Sequence, residues 1–376
     1  MTDEEYRNSI YDVIYLSGCV VNGTVPDRKK IDNIDLGDLY QSAQKHSLAA
    51  IVGYALESAG VYDNRFIQAK AKSIRKVTVM DIDKEKLFQR MEQEHIWYAP
   101  LKGIVIKELY PSVGLRQMAD FDILFDKEHA KKVKDIMLEL GFSCESFGQA
   151  NDDVYFKKPV SNFEMHRRLF NYVHKKEFYE YYHDATKYLV KDSQNDYGYH
   201  FSSSDMYIYI TAHEYKHYNN CGTGLRSLLD NYVIWQRLGD ELDESYILSE
   251  TVKLGIDSFE QKIRQLAFDV FGSGQIKDED REMLDYIIFS GTYGNIENKI
   301  NNFVRNNGGS KKGKLKFLIE RVFLPMDYLK SFYPFYYKHK ILLPVLFFRR
   351  LGRAVTVRRK DTMNKLKILR KTDNSK

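Results

Sequence analysis

Asp120 and Asp122 stand two residues apart in the run Arg116 to Phe125, RQMADFDILF. Around them Ala119, Phe121, Ile123 and Phe125 alternate with Met118, Asp120, Asp122 and Leu124, the period of a strand with one buried face. Both carboxylates therefore share the other face. Two hard oxygen ligands side by side on a rigid strand suit a Mg²⁺ or Mn²⁺ ion that holds substrate phosphates. The same pattern also allows a plain polar face with two solvated aspartates. A third carboxylate comes from the second of two strands, Asp153 to Lys158 and Asn162 to Leu169, joined by a turn at Pro159-Val160-Ser161. In NFEMHRRL, Phe163 and Met165 face one way while Glu164 and His166 face the other. Three carboxylates on adjacent strands can hold two divalent ions roughly 3.5–4 Å apart, one beside an attacking oxygen and one beside a leaving pyrophosphate.

Upstream, Ile96 to Leu101 reads as a short apolar strand that ends on Lys102-Gly103 and gives way to a single short helix closed by Pro111. A glycine at such a junction lets backbone approach a ligand, N–H groups of a first helical turn favour phosphate oxygens, and Lys102 adds a point charge. Such junctions are also common in purely structural roles. A competing motif is His213-Glu214-Tyr215-Lys216-His217, which matches the zinc-peptidase pattern of two histidines four residues apart with a glutamate base. A helix from Asp205 to Asn219 puts both histidines on one face. Against a peptidase, Thr223 stands where a third histidine belongs, and the next helix, LRSLLDNYVIWQRL, carries no glutamate ligand.

These groups need elements to hold them. Residues 5 to 20 and 37 to 60 read as helices, followed by a long charged helix from Arg65 to Glu94 and another from Lys127 to Leu140 capped by Gly141. Beyond residue 240 the pattern is helical over 244–254, 258–271, 278–289 and 296–305. Asn306 to Gly313, NNGGSKKG, has the composition of a flexible linker. The 376 residues divide on this reading into a helical region over 1–95, a catalytic core over 96–200, a helical domain covering the site over 201–305, and a linker with a basic aromatic tail over 306–376. From Lys311 to Lys376 there are 19 Lys and Arg against 4 Asp and Glu, an excess of +15 in a chain whose net charge is +5. A basic tail rich in Phe and Tyr is expected to meet an anionic membrane surface or RNA; the other reading packs its aromatics onto the domain. The three cysteines, Cys19, Cys144 and Cys221, form no disulfide framework or C-x-x-C motif, and the acidic N-terminus lacks a signal-peptide pattern. A cytoplasmic setting, with the tail peripheral at the inner membrane face, is the expectation.

The run LKGIVIKELYPSVGLRQMADFDILF, Leu101 to Phe125, resembles the uncharacterised nucleotidyltransferases of the DNA polymerase β-like superfamily, in which LKG is followed by LY-P and by G-x-R-x-x-x-D-x-D. The resemblance extends to LYQSAQKHSLAAIVGYAL upstream and to FEMHRRL, AHEYKH and GLRSLLD downstream, about residues 35 to 240. It implies an α+β fold with a small mixed sheet and helices on one side, Mg²⁺ on Asp120 and Asp122 with Glu164 as third ligand, and a nucleoside triphosphate donor. It also implies triphosphate contacts from Lys216 or His217 and an Arg226–Asp230 pair at i, i+4. Better-studied members carry Gly-Ser at the phosphate turn, whereas Gly103 precedes Ile104 here. The cradle must then use backbone N–H groups, Lys102 and Arg116. The expected activity is transfer of a nucleoside monophosphate, from ATP or another NTP, to a hydroxyl or phosphate of an acceptor that the sequence does not name. The alternative is a nucleotide-binding or membrane-associated regulatory module without turnover.

Overall fold

The computed structural model describes residues 1–149, 151–172, 175–356 and 359–371. Its frame is a mixed five-stranded sheet in the order β1–β2–β5–β4–β3, where β1 is Tyr98–Leu101, β2 Phe121–Phe125, β3 Ser143–Ser146, β4 Asp152–Lys157 and β5 Ser161–His166. β2 runs parallel to β5, and the other neighbours are antiparallel. A separate ribbon pairs β6, Leu189–Lys191, with β7, Tyr199–Phe201. The edge strand β3, SCES, has no apolar run to announce it and pairs only with β4.

The alternation around the aspartates holds, but over a shorter span than the sequence suggests. β2 starts only at Phe121; residues 116–120 are not strand, because Arg116 is drawn aside to a helical partner. Phe121, Ile123 and Phe125 join Tyr155, Phe163 and Met165 against Val77, Met80 and Leu87 of the long helix Asn64–Gln93 and Val133 and Ile136 of Ala130–Glu139. Leu101 and Leu124 on the other face belong to a second core with the N-terminal helices and with helices Ser203–Tyr218 and Leu225–Leu238. Helices therefore cover both faces of the sheet, not one. Every residue of β2 is buried, Asp122 included, so the reading of two solvated aspartates fails.

The expected helix over 37–60 is two, Leu36–Lys45 and Ala49–Ser58, broken where Ser47 takes a φ of 56°. The predicted linker is largely helix, Gly309–Val322. Its last glycine serves packing: a Cβ on Gly313 would lie 2.2 Å from the Val304 carbonyl oxygen, so only glycine lets this helix lie against Ile296–Asn306. Ile300, Val304, Phe317 and Leu369 bury one another there, and helices Met326–Phe332, Leu343–Val355 and Arg359–Lys371 complete the segment. Residues 357, 358 and 372–376 of the predicted tail lie outside the described residues. Among the described residues, no helix is long and apolar enough to cross a membrane.

Candidate metal and phosphate site

Parallel pairing sets Asp122 opposite Glu164 and Leu124 opposite His166, so Asp122, Glu164 and His166 emerge on one face of two adjacent strands. One ligand atom from each lies within 4.8 Å of the others. Asp122 Oδ1 accepts from Lys102 Nζ at 2.6 Å and is 2.7 Å from His166 Nε2, which is 3.8 Å from Glu164 Oε2. Burial pushes the Asp122 carboxyl up, but Lys102 and the hydrogen-bonded His166 outweigh it and hold Asp122 well below the usual carboxylate range. Glu164 goes the other way: burial, then the charges of Asp122 and Asp120, push it up to about 8. Burial and then Asp122 raise Asp120 as well.

Lys102 offsets only part of this crowding, since Glu164 is still pushed up, and the buried Nδ1 of His166 has no hydrogen-bond partner. Two carboxylates and an imidazole fit a divalent ion, with the nitrogen making Mn²⁺ as good an occupant as Mg²⁺. The composition of the cluster differs from the expected one. His166 belongs to it, and its place on the strand face of Glu164 was the signal in the sequence. Asp120 stands one residue ahead of β2 and outside that group of three, yet its charge is close enough to help raise Glu164. It nevertheless lines the same cavity.

Lys102 occupies the strand-to-helix turn at φ 49° and ψ −119°, a conformation an L-residue adopts at a cost of about 1–3 kcal/mol. That turn carries its ammonium onto Asp122. Burial alone would depress the ammonium, and Asp122 reverses this and raises it. Gly103 does packing work: a Cβ there would lie 2.5 Å from Met118 Cε and 2.6 Å from Arg116 Nη1. The helix it begins, Gly103–Ile106, is a single turn, and the Val105 and Ile106 amides already donate to the Lys102 carbonyl. A backbone cradle for phosphate at this turn is correspondingly limited.

Lys102, Gly103, Arg116, Asp120, Asp122, Glu164, Lys216, His217 and Arg226 line one cavity of about 550 Å³. Asp152 from β4, His213 and, from the C-terminal segment, Phe332 complete parts of its wall. Burial, then Lys102, pushes Lys216 down to about 8, and burial depresses His213 well below the ordinary histidine range. Arg226 donates Nη1 to the Gln117 carbonyl at 3.0 Å, while its buried Nε has no partner. His213 and His217 approach to 3.3 Å between Nε2 atoms, but the metal-capable cluster among the described residues is Asp122, Glu164 and His166, which leaves the histidine pair without a third ligand. Glu214 is not poised as a peptidase base either. Its Oε2 accepts from Asn231 Nδ2 at 2.5 Å between the two covering helices.

A family model described as an uncharacterised nucleotidyltransferase matches residues 32–272. The chain belongs to this family. Comparison with curated proteins and with solved structures gives no match. The match runs further than the motifs suggested, from the helix pair before the sheet through the helices that cover the site, and it stops short of the C-terminal segment.

Within this member of the family several motif residues are struts. Arg116 donates Nε and Nη2 to the two oxygens of Asp230, both at 2.8 Å, and Tyr110 adds its hydroxyl to Oδ1 at 2.8 Å. With Nη1 on Met118 Sδ, Arg116 is committed to docking helix Leu225–Leu238 onto the sheet. It is therefore a poor triphosphate contact. Asp230, taken by Arg116 and Tyr110, forms no ion pair with Arg226, which corrects the expected i, i+4 pairing. His46 is a second strut: Nδ1 accepts from the Leu225 amide at 3.1 Å, and Nε2 lies 2.9 Å from the Tyr6 hydroxyl and 3.1 Å from the Ile288 carbonyl.

Proposed function

We propose that the protein transfers a nucleoside monophosphate group from an NTP, with ATP the first donor to test, to a hydroxyl or phosphate oxygen of an acceptor, with Mg²⁺ or Mn²⁺ bound at Asp122, Glu164 and His166. The observation that carries this reading is the convergence of those three donors, in strand register, at a cavity that Lys102, Lys216 and Arg226 also line. A divalent ion held there supplies positive charge to the triphosphate and lowers the cost of charge building on the leaving pyrophosphate. The protein's own groups do the rest. Lys216 and Arg226 bind the triphosphate, and Asp120, whose charge acts on Arg226, limits where it sits. Lys102 exchanges Asp122 for a phosphate oxygen when the donor arrives. The acceptor oxygen attacks the α-phosphorus, the bond from that phosphorus to the bridging oxygen breaks, pyrophosphate leaves with the electron pair, and the acceptor proton passes to Glu164.

One observation favours a nucleotide-binding module without turnover: the Lys102–Asp122 ion pair at 2.6 Å already neutralises a metal ligand. Incubation with each α-³²P-labelled NTP, Mg²⁺ or Mn²⁺ and a cell extract separates the two. The transferase reading expects label in an acceptor and loses it in Asp122→Asn; nucleotide retention with no transferred label from any NTP would favour the silent module.

A further inference from the structure

The C-terminal segment presents two apolar stripes outward while burying others. In helix Gly309–Val322 the inward residue is Phe317, and Leu315, Leu318, Ile319 and Val322 are exposed at helical spacings on the opposite side. In helix Leu343–Val355 the inward residue is Leu346, and Val345, Phe348 and Leu351 are exposed, Phe348 by 67%. Leucine, isoleucine and phenylalanine on a soluble surface occur singly; two such stripes need an explanation. The two helices are fastened to each other. Arg350 Nη2 donates to the Arg321 carbonyl at 3.0 Å, and the rings of Phe323 and Phe347 stack with centroids 5.9 Å apart.

Charge indicates what covers them. Arg349 is exposed along the flank of the second stripe, and Lys311, Lys312 and Lys316 along the first. Residues 311–376 carry an excess of +15 on a chain whose remainder is acidic. An apolar stripe about a hundred degrees wide with cations at its margins is the profile of a helix lying in the plane of a membrane surface, its apolar side chains among the acyl chains and its cations at the headgroups. Neither helix is long or apolar enough to cross. An acidic nucleic acid would use the cations but leave the stripes in water.

We propose that helices Gly309–Val322 and Leu343–Val355 form a docking surface for an anionic phospholipid bilayer. This does not rest on nucleotidyl transfer, since binding is read without nucleotide. Phe332, at the end of helix Met326–Phe332 between the two in the chain, lines the proposed catalytic cavity, so docking engages a segment that also forms part of its wall.

The test uses the full chain and sucrose-loaded vesicles of phosphatidylcholine with or without phosphatidylglycerol, at ~0.1 M salt, where the screening length is about 10 Å. Full-length protein is expected to sediment with the anionic vesicles at least ~10-fold more tightly than with the neutral ones, and less so as salt rises. The double variant I319E/F348E is expected to lose ~10-fold or more of this binding without a change in thermal midpoint, since both side chains are exposed. A milder pair, I319S/F348S, covers the case in which the acidic variant misfolds. Wild-type protein left in the supernatant with anionic vesicles overturns the proposal. So does binding that neither salt nor either pair of substitutions reduces. A chain that self-associates by light scattering, and ignores vesicles, would assign the stripes to a second copy instead. Retention of RNA on a filter without vesicle binding would assign the charge to nucleic acid.

Discussion

Replacing Glu164 by Gln should stabilise the protein in the absence of metal and abolish its response to divalent cations. In the folded protein the Glu164 carboxyl lies within 4.8 Å of that of Asp122. Two unit negative charges at that separation repel by about 3.5 kcal/mol at an effective dielectric constant of about 20. The sign follows from the direction of the shift. Glu164 has its proton affinity raised from 4.5 to about 8 on folding, so between those pH values the folded chain holds a proton that the unfolded chain has released. Stability is therefore highest below about 4.5 and falls as pH rises to about 8. Gln at this position carries no charge and escapes the loss. The variant should match wild type at pH 4.5 and exceed it by about 3 kcal/mol at pH 8.5, after discounting for the exposed part of the side chain. With an unfolding entropy of about 2.1 cal/mol/K per residue, that is a rise of about 4 °C in thermal midpoint. Scanning calorimetry of both proteins in EDTA at the two pH values tests it. Saturating Mg²⁺ or Mn²⁺ should then raise the wild-type midpoint and leave the variant's nearly still. Equal midpoints at pH 8.5 in EDTA, or a variant that keeps its full metal response, would refute the crowded-carboxylate site.

Asp230→Asn leaves the Arg116 guanidinium buried without its counter-charge and should cost about 3–5 kcal/mol, read as a fall in the denaturant midpoint; a drop under ~1 kcal/mol would mean the pair is not the strut described. Lys216→Met and Arg226→Met should each weaken binding of a fluorescent ATP analogue by at least ~10-fold, with thermal midpoints unchanged or higher because each removes a desolvated cation. Unaltered affinity in both would take the triphosphate away from that wall. For His46, burial first and then the charge of Lys45 lower the imidazole to about 3. The unfolded chain binds a proton below about 6.5 that the folded chain refuses, so stability falls with acidification from about 6.5 toward 3, by about 1.4 kcal/mol per pH unit. His46→Gln should flatten the pH dependence of the denaturant midpoint by one proton's worth over that window, and identical slopes would count against a neutral buried His46.

The period-2 pattern around Asp122 and Glu164 was legible because one face of each strand must bury Phe121, Ile123, Phe163 and Met165, and that requirement sends the carboxylates the opposite way. The same alternation placed His166 with Glu164, although only the parallel register brought its nitrogen to Asp122. Spacing alone does not reveal where a strand begins, so that Asp120 stands one residue ahead of β2 was not legible. The glycines of NNGGSKKG read as a linker because composition records backbone freedom, whereas Gly313 is there to admit the Val304 carbonyl.

The amino-acid sequence by itself determined the local periodicities, the helix stops, the acidic strand pair and the family motif, since each depends on residues within a turn or a strand of one another. Tertiary structure decided which charges meet. Arg116 and Asp230 are 114 residues apart, and Lys102 and Asp122 are 20 apart across a turn at positive φ. It also buried the aspartate face under helix Ser203–Tyr218, and with that cover moved the proton affinities of Glu164 and Lys216 toward neutrality. Desolvation is a property of what lies above a side chain, and nothing in the order of residues along β2 or β5 states what that will be.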